Sequence, residues 1–135
     1  MSSLAEAHYL SRLLFQVGER ARADFAAVVA ECGLTAVQAR VVLWLGEPSS
    51  MSSLANHLAC DASNVTGIAD RLAAAGLLSR VPGADRRITL LQLTPEGRAV
   101  RADLADRVAQ GSTVMAKLDD GERRHLTRLL TKLLS

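Results

Sequence analysis

Short hydrogen-bonding side chains share one side of a predicted helix that runs from Ala62 to about Ala75. At about 100° per residue, the opposite side of this helix is apolar. The apolar side carries Val65, Ile68, Ala69 and Leu72, and the polar side carries Ser63, Asn64, Thr66, Gly67, Asp70 and Arg71. Near a helix N-terminus, Ser, Asn and Thr can hydrogen-bond to base edges or phosphates when the helix lies in a major groove. Gly67 would let the backbone approach closely. The alternative interpretation is that this polar side is an ordinary solvated face of an amphipathic helix.

Arginines dominate a second candidate patch, at the tip of a predicted hairpin. Two β-prone runs, residues 77–81 and 88–93, flank a segment that contains Asp85, Arg86 and Arg87. The alternative to a binding role is a solvated turn with a weak surface ion pair. Arg71 and Arg80 are equally compatible with phosphate contacts and with structural ion pairs.

Patterns typical of enzymes are missing from the sequence. It contains no nucleophile elbow, P-loop, paired metal-ligand motif or Gly-rich dinucleotide turn. The three histidines, His8, His57 and His125, form neither an HExxH motif nor a triad pattern. We therefore expect a protein that is not an enzyme and uses no metal or cofactor.

Cysteine usage and the N-terminal pattern bear on the compartment. Cys32 and Cys60 are too few to staple a small fold, and they lack metal-ligand spacing. The N-terminal region carries charged residues within its apolar pattern, unlike a signal peptide or a membrane span. We expect a soluble protein in a reducing cytoplasm.

Length and composition favour one mainly α domain. A chain of 135 residues is about one domain, and its hydrophobic content of 49%, mostly Ala, Leu and Val, favours helices packed on helices. The formal charge of +2 permits nucleic-acid binding but does not argue for it.

Helix-start and helix-stop signals divide the first half of the chain. A long amphipathic helix over residues 4–30 ends at Gly33, and Thr35 with Gln38 forms a capping box for a helix through Leu45. We therefore expect two helices before residue 50.

The next two predicted helices are short and close together. Ser50 caps one over residues 51–58, and Asp61 caps the helix that Gly76 ends. The predicted hairpin follows directly. A helix-turn-helix before a β-hairpin is the arrangement of a winged helix.

Two helices close the chain. Thr94, Pro95 and Glu96 start one that we expect to run past Gly111 to Met115. A last helix begins after Asp119. The leucine-rich faces of the first and last helices are larger than one small lobe can cover, which predicts an obligate homodimer. These leucines are Leu4, Leu10, Leu14, Leu126, Leu129, Leu130 and Leu133.

Several short motifs lie between Leu54 and Gly97. They are Leu54-Ala55, Val65-Thr66, Asp70-Arg71-Leu72, Gly76-Leu77, Asp85-Arg86-Arg87 and Leu93-Thr94-Pro95-Glu96-Gly97, with Leu34-Thr35 and Gln38 upstream. In these motifs the chain resembles the MarR family of regulators. The resemblance implies a winged helix-turn-helix DNA-binding lobe over about residues 34–94, which includes a two-stranded β wing. It also implies dimerisation helices over about 4–31 and 95–134, and a homodimer that binds double-stranded DNA as a repressor.

The same resemblance assigns roles at the wing. It implies that Arg87 enters the minor groove and that Asp85 holds its guanidinium in a bidentate pair. Arg86 is a nearby candidate for a phosphate contact. Gly67 departs from the pattern, because many relatives carry a longer polar or basic side chain there. This departure predicts sparse base readout.

The resemblance further implies release by a small lipophilic or phenolic effector. Candidate pocket residues by chain position are His8, Tyr9, Arg12, Trp44 and His57, although such residues often serve packing. Some relatives sense oxidants instead, and Cys60 would then be the sensor, because a helix N-terminus can lower a thiol pKa. Asp61 opposes that effect. A third alternative is a winged-helix module that binds another protein.

Overall fold

The computed structural model describes residues 3–59 and 62–135, with the backbone alone for residues 62 and 63. The described chain forms two compact units, which we call the lobe (residues 28–107) and the terminal unit (residues 3–27 and 108–135). The helices α1 (Leu4–Glu31) and α5 (Pro95–Gly111) each run from one unit into the other.

The lobe has the element order of a winged helix-turn-helix, as the sequence predicted. Besides the parts of α1 and α5, its elements are α2 (Ala36–Trp44), β1 (Ser49–Ser50), α3 (Met51–Leu58), α4 (Ala62–Ala74), β2 (Leu78–Pro82) and β3 (Thr89–Leu93). Val41, Leu54, Val65, Leu72 and Leu91 are at most 1% exposed and belong to one core. Burying each such side chain contributes about 1.5–3 kcal/mol, so the core fixes how α3, α4 and the sheet pack.

The predicted helix starts are confirmed where the structure describes them. The backbone N–H of Gln38 donates to Thr35 Oγ1 and that of Thr35 donates to Gln38 Oε1, both at 3.1 Å. Ser50 Oγ accepts from the N–H of Ser53 at 3.1 Å and so caps α3. The predicted cap Asp61 lies outside the described residues.

The predicted hairpin of β2 and β3 is confirmed, and one short further strand pairs with it. The sheet is antiparallel in the order β1-β3-β2, with Ser49 and Arg80 both opposite Leu91. The extra strand, β1, comprises two serines that join the sheet through their backbones. Its residue types therefore contain no alternation from which a strand could be predicted.

The terminal unit corrects the predicted end of α5. This helix ends at Gly111, so residues 112–114, which were expected to continue it to Met115, are not α-helical, and a 3-10 helix (Met115–Lys117) follows. The backbone N–H and the hydroxyl of Thr113 both donate to Asp24 Oδ2 at 2.8 Å. Because Asp24 accepts this N–H, the helical ladder does not continue through Thr113.

Helix α6 (Asp120–Leu134) begins at the predicted cap and presents an apolar surface. Asp119 and Glu122 form a capping box. Leu129, Leu130 and Leu133 are 39%, 38% and 67% exposed. A groove of about 570 Å³ is lined mainly by this helix.

Helix α1 is also exposed along much of its apolar face. Leu4 is 87% exposed, and Leu10 and Leu14 are each 50% exposed. No single helix in the described chain is long and apolar enough to cross a membrane, and only the broken pair α1 and α2 passes on length and composition.

Candidate nucleic-acid interface

The two sides of α4 differ as predicted. Val65, Ala69 and Leu72 are at most 1% exposed and Ile68 packs against the same core. The other side carries the exposed residues Asn64, Thr66, Asp70 and Arg71 and the half-buried Gly67, with the backbone of Ser63 on the same side. A Cβ atom added to Gly67 would meet nothing within 4 Å, so α4 is open to a partner at this point.

An ion pair joins the outward side of α4 to the wing. Asp70 Oδ1 lies 2.5 Å from Arg80 Nη2, and the two side chains are 60% and 40% exposed. Arg80, for which the sequence left two roles open, is therefore half of a structural ion pair. Asp70 was absent from the predicted site residues, although its place on the helix wheel already put it beside Thr66 and Gly67.

The tip of the wing is tied by its own backbone. Gly83 N–H donates to Ile88 O at 2.8 Å, and Ile88 N–H donates to Asp85 O at 2.9 Å. Arg86 and Arg87 are exposed at this tip.

The side chain of Asp85 contacts the backbone of the wing tip. Its Oδ1 accepts the backbone N–H of Arg87 at 3.0 Å, and within the described chain no ion pair joins the two side chains. A carboxylate two residues before an N–H closes a local turn. This contact orders the tip and leaves the Arg87 guanidinium outside that hydrogen bond.

One hydroxyl connects the end of α4 to the start of α5. Thr94 Oγ1 donates to Gly76 O at 2.6 Å and accepts the N–H of Gly97 at 3.0 Å, while Thr94 N–H donates to Leu77 O at 3.1 Å. A Cβ atom on Gly97 would overlap the carbonyl oxygen of Leu77. These contacts explain the spacing of Leu-Thr-x-x-Gly in physical terms.

The candidate effector residues fall into two pairs and one single residue. In the lobe, the rings of Trp44 and His57 stack at a centroid distance of 5.0 Å and an interplanar angle of 17°. In the terminal unit, the guanidinium of Arg12 lies 5.4 Å from the ring centroid of Tyr9, and His8 is exposed. None of the five lines the cleft of about 180 Å³ at the base of the wing.

The structure describes only one of the two cysteines. Cys60 lies outside the described residues, and Cys32 is half-buried and free.

The pKa of Arg107 is raised by its hydrogen bond with Asp103 and by the charge of Asp103, and less by Cys32 and Glu31. In the described chain, no group of three or more His, Cys, Asp or Glu residues could hold a metal ion.

Comparisons with known proteins agree on one family. The sequence model of the MarR family matches residues 34–89. BpsR of Bordetella bronchiseptica, whose DNA binding is regulated by 6-hydroxynicotinic acid, is 31% identical over 93% of this chain and 92% of its own, with a TM-score of 0.70. A mutant of MarR from E. coli complexed with operator DNA is 26% identical over 99% of this chain and 100% of its own, with a TM-score of 0.75.

A third solved structure shares the fold over nearly its whole length. The transcriptional regulator BldR of Sulfolobus solfataricus is 25% identical over 99% of this chain and 98% of its own, with a TM-score of 0.79. No curated protein sequence matches the chain.

Proposed function

The chain belongs to the MarR family of winged helix-turn-helix transcription regulators, and we propose that it represses transcription by binding operator DNA as a homodimer. The observation that carries this proposal is the exposed polar side of α4 on the same lobe as the exposed basic tip of the wing. A mutant of the related MarR of E. coli is known in complex with operator DNA. Regulation of transcription, and not catalysis, is the activity typical of the family.

The residues of α4 and of the wing tip would make different kinds of contact with DNA. Ser63, Asn64 and Thr66 read base edges in the major groove, where short polar side chains need close approach, and Gly67 permits it. Arg71 and Arg86 contact phosphates, which set affinity and not sequence preference. Arg87 enters the minor groove, whose negative potential favours arginine.

A homodimer follows from the apolar surface of the terminal unit. Leucines that are 50–87% exposed on α1, together with the groove along α6, leave more apolar surface uncovered than a stable monomer normally presents. Two copies would also present two α4 helices to half-sites about one helical turn apart. Sedimentation at micromolar concentration should therefore detect a dimer, whereas a stable folded monomer would contradict this part.

Release by a small aromatic acid completes the proposed mechanism. Regulation of BpsR by 6-hydroxynicotinic acid supports this class of effector. The stacked rings of Trp44 and His57 in the lobe offer an aromatic surface for such an effector. Because linkage is reciprocal, an effector that weakens DNA binding must bind less tightly to the DNA complex. Calorimetry with 6-hydroxynicotinic acid as probe, with and without bound DNA, measures this difference.

The experiment that tests DNA binding is selection of duplexes from a random-sequence pool at low salt. We expect enrichment of an inverted repeat and a gel shift with it. Because DNA is the proposed target, the protein would act in the cytoplasm. Failure to bind any duplex at low salt would overturn the proposal and favour a winged-helix module that binds protein.

A further inference from the structure

The outward side of α4 contains an acidic residue, although negative charge opposes the binding of DNA. At about 100° per residue, Asp70 lies within roughly 60° of Ser63, Thr66 and Gly67 around the helix axis. Its side chain is 60% exposed. A carboxylate facing phosphates is repelled by them. An acid at this position therefore needs a physical explanation.

The partner of Asp70 is an arginine of the wing. Arg80 lies on β2 opposite Leu91, and its Nη2 is 2.5 Å from Asp70 Oδ1. An exposed ion pair of this kind adds little to folding stability. Its main physical effect is on charge, because it neutralises one cation and one anion beside the proposed DNA-binding surface.

Asp70 and Arg80 carry a large share of the charged groups on α4 and the wing. Residues 62–93 contain four arginines, Arg71, Arg80, Arg86 and Arg87, and two aspartates, Asp70 and Asp85. Each arginine that contacts phosphate adds to affinity by releasing counterions. An ion pair that occupies Arg80 therefore removes one of four possible contributions in each protomer.

We propose that Asp70 limits the affinity for DNA by holding Arg80 in an ion pair, which keeps that guanidinium from phosphate. This inference rests on the proposed function. A regulator that must be released by an effector needs binding that is reversible at physiological salt. Asp70 would supply this reversibility without altering the base-reading residues of α4.

The test is Asp70→Asn, which keeps the shape of the side chain and removes its charge. The probes are a random-sequence duplex and the duplex that the wild-type protein selects, each over a series of salt concentrations. We expect binding of both duplexes to tighten about ten-fold at low salt. The dependence of log K on log salt should steepen by about two for the dimer, because one arginine per protomer gains a phosphate contact.

A matched control separates this effect from net charge. Asp103 forms a similar exposed pair with Arg107 on α5, at 3.0 Å, and its side chain is also 60% exposed. Asp103→Asn makes the same change in net charge outside α4 and the wing, so the salt dependence should stay at the wild-type value.

A double variant assigns the effect to Arg80. In Asp70→Asn/Arg80→Gln the salt dependence should return to that of the wild type, since the freed cation is gone. The inference is overturned if Asp70→Asn leaves salt dependence unchanged, weakens binding with the fold intact by circular dichroism, or keeps the steeper dependence without Arg80. A wild-type protein that binds no duplex would overturn the proposed function as well, so the two failures are distinct.

Discussion

The hydroxyl of Thr94 donates a 2.6 Å hydrogen bond to the carbonyl oxygen of Gly76 and thereby ties the turn after α4 to the start of α5. The same oxygen accepts the N–H of Gly97, one of the amides that the first turn of a helix leaves unpaired. One side chain thus satisfies a helix end and a helix start. The orientation of α4 relative to the first turn of α5 depends on it.

Replacement of Thr94 by Val should destabilise the lobe by about 1–3 kcal/mol, because the isosteric side chain leaves both backbone groups without this partner. Thr94→Ser keeps the hydroxyl and should lose much less. Denaturant unfolding monitored by circular dichroism measures both. Equal stabilities of the Val and Ser variants would show that the hydroxyl does not hold these two elements together.

Gly97→Ala should be at least as harmful, because the added methyl group would overlap the carbonyl oxygen of Leu77 and lie 3.2 Å from Leu93 Cβ. Backbone cannot yield as a side chain can, so we expect a loss of about 1–3 kcal/mol. Gly46→Ala is the control. Its methyl group would meet Arg101 Nη2 at 3.1 Å, which is the end of a flexible side chain, so the loss should stay below about 1 kcal/mol. Similar unfolding midpoints for the two variants would contradict this reasoning.

Gly67→Ala should separate stability from binding. Open space surrounds the added methyl group, and alanine is the better helix former, so the lobe should gain about 0.5–1 kcal/mol. The methyl group would stand between the α4 backbone and the proposed major groove, so operator affinity should fall. Thermal unfolding and gel shifts on the same preparation test both effects. Unchanged affinity would mean that α4 does not approach DNA at Gly67.

Local signals were sufficient to predict most of the lobe. The capping box of Thr35 and Gln38 and the division of α4 into an apolar and a polar side depend on residues within a few positions of one another. Such patterns can be read from the sequence because helix geometry alone relates the residues.

The features that the sequence did not predict depend on contacts between residues that are far apart in the chain. Strand β1 exists because Ser49 pairs with Leu91, and α5 ends at Gly111 because Asp24 accepts the N–H of Thr113. The pairing of Asp70 with Arg80 likewise depends on the packing of α4 against β2. Residue types reveal none of these partners, since they are set by tertiary packing and not by helix or strand periodicity.

Asn64→Ala should lower the discrimination between operator and random DNA by about 1–3 kcal/mol if its side chain contacts a base edge. Binding to random DNA should barely change, since that binding depends on phosphate contacts. Competition between the selected duplex and random duplex measures the ratio directly. An equal loss on both duplexes would assign Asn64 to the DNA backbone.

Arg87→Ala should weaken binding to every duplex. Its guanidinium lies outside the hydrogen bond by which Asp85 orders the tip, so its loss should leave the wing folded. The proposed contact lies in the minor groove, where one cation per protomer adds to counterion release. The salt dependence should therefore become shallower by about one per protomer. Arg22→Ala, which removes an arginine that is 80% exposed on α1, is the control for net charge and should bind as the wild type does. An Arg87→Ala protein with wild-type affinity and salt dependence would remove the wing tip from the proposed interface.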